Sequence, residues 1–276
     1  METKINDEDI KIIETTGIDV FEAQERASIN SQVATAKQYP RNLRRVLDNS
    51  IVISTMNVAT AKTCRYAKPV GGKMINGPSV HLARIICQQY GNIRIQQRIK
   101  SIDHKSIVAE AVAFDMETNY AVCVEARRSI LKKDGTRYDE STIETNAMAI
   151  MAIAERNAIL KVIPKSLIDR VYDEAFKFAH GDLSDATKLV KERNRIFNVF
   201  KDTYALFEAD VIKIIGINTK EAVTAEHIAD LTGILLSLKD KELTVEMLKE
   251  QAKQKKDIIE KKQDLKANST PKTEMP

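Results

Sequence analysis

The sequence predicts an α+β fold: an antiparallel three-stranded β-meander packed by a long buried helix, with a small C-terminal helical bundle. Three observations carry this prediction. Alternating apolar stretches follow one another closely between residues 93 and 128. An Ala-rich stretch over 141–163 comes next; it is apolar nearly all round through its first three turns, so it must be buried. Beyond Gly181 the periodicity is helical.

In chain order, residues 1–25 read as an acidic N-terminal arm, with 1–18 mobile. The first helical pattern follows Pro40. Leu43, Val46, Leu47, Ser50 and Ile51 share one side, while Arg41, Arg44, Arg45 and Asp48 point the other way. Residues 66–78 hold three Gly and two Pro and read as a loop. A helix begins at Pro78 and ends at Gly91. Val80, Leu82, Ala83, Ile86, Cys87 and Tyr90 fill its apolar half, and His81, Arg84 and Gln88 form a stripe on the other. Strand patterns follow at 93–100, 106–114 and 119–128. The alternation slips at Gln96-Gln97, which predicts a bulge, and Met116-Glu117-Thr118 makes a turn. In the last strand Tyr120, Val122 and Val124 share one face, and Glu125 and Arg127 share the other, so the sheet is one-sided. The buried helix acquires Glu155, Arg156, Asn157 and Lys161 only toward its end, before Pro164 stops it. An α+β unit of residues 26–180 results. Helices at about 184–207, 209–215 and 224–240 make a C-terminal module of 181–250. The Lys-, Gln- and Glu-rich tail, 251–276, cannot bury enough surface to fold alone.

Charge is distributed unevenly. Residues 26–100 hold thirteen basic side chains and a single acid, Asp48, whereas residues 1–25 hold two bases and eight acids. The net charge of +4 hides this block. Such a block repels itself unless a polyanion neutralises it, which points to nucleic acid. The alternative is a basic surface balanced in space by acids from other segments. Aromatic residues reach only 5% and Trp is absent, so contact through phosphates fits better than base stacking.

Several chemistries lack their residues. Cys64, Cys87 and Cys123 lie far apart, which argues against a disulfide framework or a zinc module. Gly71-Gly72-Lys73 is followed by Met74 rather than Ser or Thr, and position 66 is Tyr, so no nucleotide-phosphate loop is formed. The four histidines have neither ligand spacing nor a nucleophile motif. Asp115, Glu117 and Glu125, followed by Arg127, weakly resemble the cation-binding acids of metal-dependent nucleases; turn acids and strand-face ion pairs explain them equally well. The expectation is a non-enzyme without cofactor or metal, soluble and cytosolic.

Three segments carry a family resemblance: Val70-Gly-Gly-Lys-Met-Ile-Asn-Gly-Pro-Ser79, Phe114-Asp-Met-Glu-Thr-Asn119 and Ala154-Glu-Arg-Asn-Ala-Ile-Leu-Lys-Val-Ile-Pro164. Together they resemble the phage RecT/Redβ-type single-strand annealing proteins over about residues 25–180. A fainter likeness to the helical tail of some members runs from Thr224 to Thr244. The resemblance implies the annealing-protein fold, assembly into rings or filaments, and ATP-independent annealing of complementary strands. It also implies that the tail recruits a host single-strand-binding protein or a phage exonuclease. The residues expected to contact DNA are Lys68, Lys73, Arg84, Arg94, Arg98, Arg127, Arg128, Arg156 and Lys161. The rival readings are a metal-dependent nuclease and a DNA-binding protein that does not anneal.

Overall fold

The computed structural model describes residues 7–70, 73–132, 134–250 and 252. The chain is α+β, with a three-stranded antiparallel sheet, a separate two-stranded hairpin, and helices packed around both. Helix α1 (Asp7–Gln38) runs through most of the segment expected to be a mobile arm. Gly17 is the one weak point within it and no proline interrupts it before Pro40, so nothing in the sequence stops the helix sooner. Ala36 is buried, and Ile29 and Val33 are half-buried. Residues 1–6 and almost all of the expected disordered tail lie outside the described residues.

Helix α2 (Leu43–Ser54) is capped by Asn42, whose side chain accepts from the Arg45 amide at 3.0 Å. It buries Val46, Ser50 and Ser54, while Leu43, expected on the buried side, is exposed. After the short α3 (Val58–Thr63), strands β1 (Arg65–Val70) and β2 (Lys73–Pro78) form an antiparallel hairpin. This corrects the loop expected over 66–78. Tyr66, Lys68 and Val70 do alternate, and Gly-Gly between two strands is a hairpin signal. Pro69 and Pro78 hid it, although a two-stranded ribbon tolerates proline on its open edges.

Ser79 caps α4 (Val80–Tyr90), which ends at Gly91 with φ 65°. Strands β3 (Ile93–Ile102), β4 (Ser106–Asp115) and β5 (Tyr120–Ser129) form the meander in the order β3-β4-β5. The bulge is not at Gln96-Gln97, whose pairing is regular; the register shifts between Ile99 and Ser101. Helix α5 (Glu140–Val162) lies on the face formed by Ile107, Ala109, Ala111 and Ala113. The small side chains of β4 let the helix come close. Burial of α5 is not all-round, since Met148 is 67% exposed. Glu155 and Arg156, expected at its wetter end, are buried instead.

Helix α6 (Lys165–His180), which the sequence did not single out, follows directly and completes the first core through Ile168, Val171 and Ala175. A second core gathers α7 (Ala186–Tyr204), α8 (Glu208–Ile215), α9 (Ala225–Lys239), Leu243 and Leu248. It also takes in Ala67 of β1. The hairpin therefore stands on α9. At Gly233 a side-chain Cβ would sit 2.7 Å from the Ala67 nitrogen, so only glycine allows this approach. Ser237 Oγ donates to the Ala67 carbonyl at 3.2 Å. No helix among the described residues is long and apolar enough to cross a membrane.

Candidate polyanion site

Folding redistributes the charge seen in sequence. Nine of the thirteen basic residues in 26–100 make an ion pair, and Asp48 is the only partner from inside the block. The most enclosed is Arg41. It donates to Asp115, to Glu117 Oε1 at 2.8 Å, and lies 3.8 Å over the Tyr90 ring. Burial opposes its charge, but the bonds to Asp115 and Tyr90 hold the guanidinium above its ordinary range. Lys37, Arg45, Lys68 and Lys73 have no ion-pair partner within 4 Å among the described residues. The block is thus largely balanced by acids from other segments. Self-repulsion does not demand a polyanion along its whole length.

The nine residues expected to contact DNA fall into distinct places. Arg94, Arg98 and Arg127 share the outer sheet face, while Arg128 pairs with Ile107 on the α5 side. Each outer-face arginine meets an acid: Arg94 with Glu25 of α1 at 3.3 Å, Arg98 with Glu110 at 2.8 Å, and Arg127 with Asp103 at 3.9 Å. The bulge brings Lys100 onto Glu110 and Glu125 as well. On α4, Arg84 donates to both carboxylate oxygens of Glu155, at 3.0 and 2.6 Å, and these bonds raise its pKa. Lys73 at the start of β2 and Lys161 near the end of α5 are exposed.

Lys68, Arg128 and Arg156 come together. Tyr66 and Lys68 lie on one face of β1, opposite the Arg65 and Ala67 face that meets α9. Arg156 reaches over the Tyr66 ring at 4.3 Å. Its Nη1 donates to Glu242 at 3.0 and 3.3 Å, and both side chains are under a tenth exposed. Arg128 arrives from β5 and donates to the carbonyls of Lys241 at 2.7 Å and Glu242 at 3.3 Å. Burial and the neighbouring Arg128 and Arg156 pull the Lys68 ammonium below its usual range, with Glu242 opposing. Burial likewise lowers Arg128. Three cations thus surround one carboxylate, a local surplus suited to an added anion.

A groove of about 280 Å³ is bordered by residues 239–241, which precede Glu242. His81, Arg84, Met148, Lys239 and Lys241 line it, which explains the exposure of Met148. His81 Nε2 lies 3.0 Å from Asp240, so the stripe on α4 is tied to α9. Neither Glu242 nor Asp240 was legible as a site residue, because their partners lie about 86 and 159 positions away.

Other candidate chemistries meet competing contacts. Asp115 and Glu117 are both engaged by Arg41, and Glu125 by Lys100. Among the described residues no group of three His, Cys, Asp or Glu side chains is close enough to hold a metal ion. Burial pushes the Cys64 thiol up to about 12 and Cys87 to about 11, away from nucleophilic thiolates. Beneath the hairpin, Arg65 donates to Asp230 at 2.6 Å and to Tyr172 at 2.7 Å, and Asn76 adds a bond to Asp230 at 3.1 Å. No family model, curated protein or solved structure matches this chain, so the likeness to annealing proteins rests on the three segments that carry it.

Proposed function

We propose that this protein binds single-stranded DNA through its phosphates and, as a homo-oligomer arranged in a ring or filament, promotes annealing of complementary strands without ATP. The observation that carries the reading is the surplus of cations where Lys68, Arg128 and Arg156 meet. Exposed Lys73 on the same hairpin extends it. A site of this kind grips the backbone and leaves base edges free to pair, which annealing requires. The resemblance in the hairpin, sheet and α5 segments supports the same reading. Recruitment of a host single-strand-binding protein or an exonuclease is a proposal that only the resemblance supports, because α9 already serves as the base of the hairpin.

A second reading, a DNA-binding protein that does not anneal, is favoured by the internal pairing of the outer sheet face. One assay separates these readings and the nuclease alternative. Complementary labelled strands are mixed with the protein, with and without magnesium, renaturation is followed by fluorescence, and the products are run on a gel. The proposal expects faster renaturation without ATP or cation and intact strands. Unchanged renaturation rates together with binding would favour the second reading, and cation-dependent cleavage would favour the nuclease. With three or four phosphates engaged per protomer, the logarithmic salt slope for single strands is about −2 to −3.

A further inference from the structure

We infer that the Glu242 side chain is a built-in competitor for the phosphate site formed by Lys68, Arg128 and Arg156, and that a nucleic-acid phosphate must displace it to bind there. The inference rests on the polyanion-binding reading and adds its regulation. The Glu242 carboxylate offers Arg156 two acceptor oxygens at 3.0 and 3.3 Å. A phosphodiester presents two such oxygens carrying the same single charge. Exchanging one for the other leaves the local charge unchanged, so resident and incoming anion compete nearly on equal terms.

The backbone holds Glu242 in this role while leaving its side chain able to rotate away. Arg128 grips the Lys241 and Glu242 carbonyls, and Leu243 donates to the Ser237 carbonyl at 3.0 Å. Leu243 and Leu248 are buried in the second core. Lys241 adopts φ 58°, a left-handed conformation that a non-glycine residue keeps only when its surroundings impose it. The segment is fixed on both sides of a side chain that meets the cluster through Arg156. Oligonucleotide binding would free that carboxylate without dismantling the fold.

The test is the affinity of a fluorescein-labelled 30-nucleotide oligo-dT, measured by anisotropy over a salt series, for the full chain and for Glu242→Gln. Neutralising Glu242 removes the competitor. Affinity is expected to rise about tenfold, and the salt slope to steepen by about 0.7, because in the wild type the freed carboxylate takes back one of the counterions that the phosphate released. Glu226→Gln makes the same charge change at a different cavity, beside Arg65 and His180, and is expected to stay within about twofold of wild type. Equal binding by wild type and Glu242→Gln would overturn the competitor and leave the polyanion reading standing. Absence of binding by both proteins at low salt would overturn both. Binding by Glu242→Gln alone would support the inference in its strongest form. Should Glu242→Gln fail to fold, the side-chain carboxyl carbon-13 resonance of Glu242 in the wild-type protein decides. Saturating oligo-dT is expected to shift it as the carboxylate leaves Arg156, and an unmoved resonance would overturn the inference.

Discussion

The outer face of the sheet and the junction of hairpin, β5 and α5 both carry several cations, but they differ in how those cations are matched. On the outer face Arg94, Arg98, Lys100 and Arg127 each meet an acid, and the face is close to neutral. At the junction three cations share Glu242. Basic residues counted along a chain therefore do not locate a polyanion site. What matters is where the fold leaves a cation without a carboxylate of its own.

The most disruptive way to break this contrast is to lift the hairpin from its base. Gly233→Val places atoms into β1, where a Cβ at this position would already lie 2.7 Å from the Ala67 nitrogen and 2.9 Å from the Ala67 Cβ and the Tyr66 carbonyl carbon. It is expected to cost about 3 kcal/mol, read by chemical denaturation, and to weaken oligonucleotide binding by displacing Lys68. The outer face does not depend on this contact. Limited proteolysis is therefore expected to cut first around the hairpin and α9, while the meander stays protected.

Acid sharpens the contrast by a different route. His180, at the end of α6, has its pKa lowered to about 4 from 6.5, by burial and then by Lys62 and Arg65. The unfolded chain takes up this proton at higher pH than the folded one, so stability falls as pH drops from 6.5 toward 4. The loss is on the order of 3 kcal/mol at most. His180→Gln is expected to flatten stability across that window. Glu192 contributes to a second loss, between pH 4.5 and about 2, because its pKa is lowered by its bonds to Arg195 and then Lys62, against opposing burial; Asp115 and other lowered carboxylates add to the loss in acid. Persistence of the upper transition in His180→Gln would assign it to another group.

Much of this fold was legible because its signals are local. The meander, α4 and α5 follow from alternation, from Ser79 and Gly91, and from the Ala-rich run that Pro164 ends. The hairpin was not, because what buries β1 is α9, more than 150 residues onward, and its two prolines read as loop punctuation. Nor was the long α1, whose acidic start reads as an arm although nothing interrupts its helix. Lys68, Arg128 and Arg156 were legible as basic residues in a basic context. Their convergence was not, since it depends on Glu242 and on the register that turns Arg128 toward α5 and Arg127 away from it.

The most direct measurement compares two double variants in salt-dependent binding of single-stranded oligo-dT. Lys68→Ala with Arg128→Gln removes cations from the junction, and Arg98→Gln with Arg127→Gln removes the same number from the outer face. The expected result is that the junction variant loses about tenfold or more in affinity and about 1.4 in salt slope, two phosphates' worth on a single strand. The outer-face variant is expected to keep the wild-type slope. A loss of affinity and slope in the outer-face variant, with the junction variant unchanged, would contradict the account.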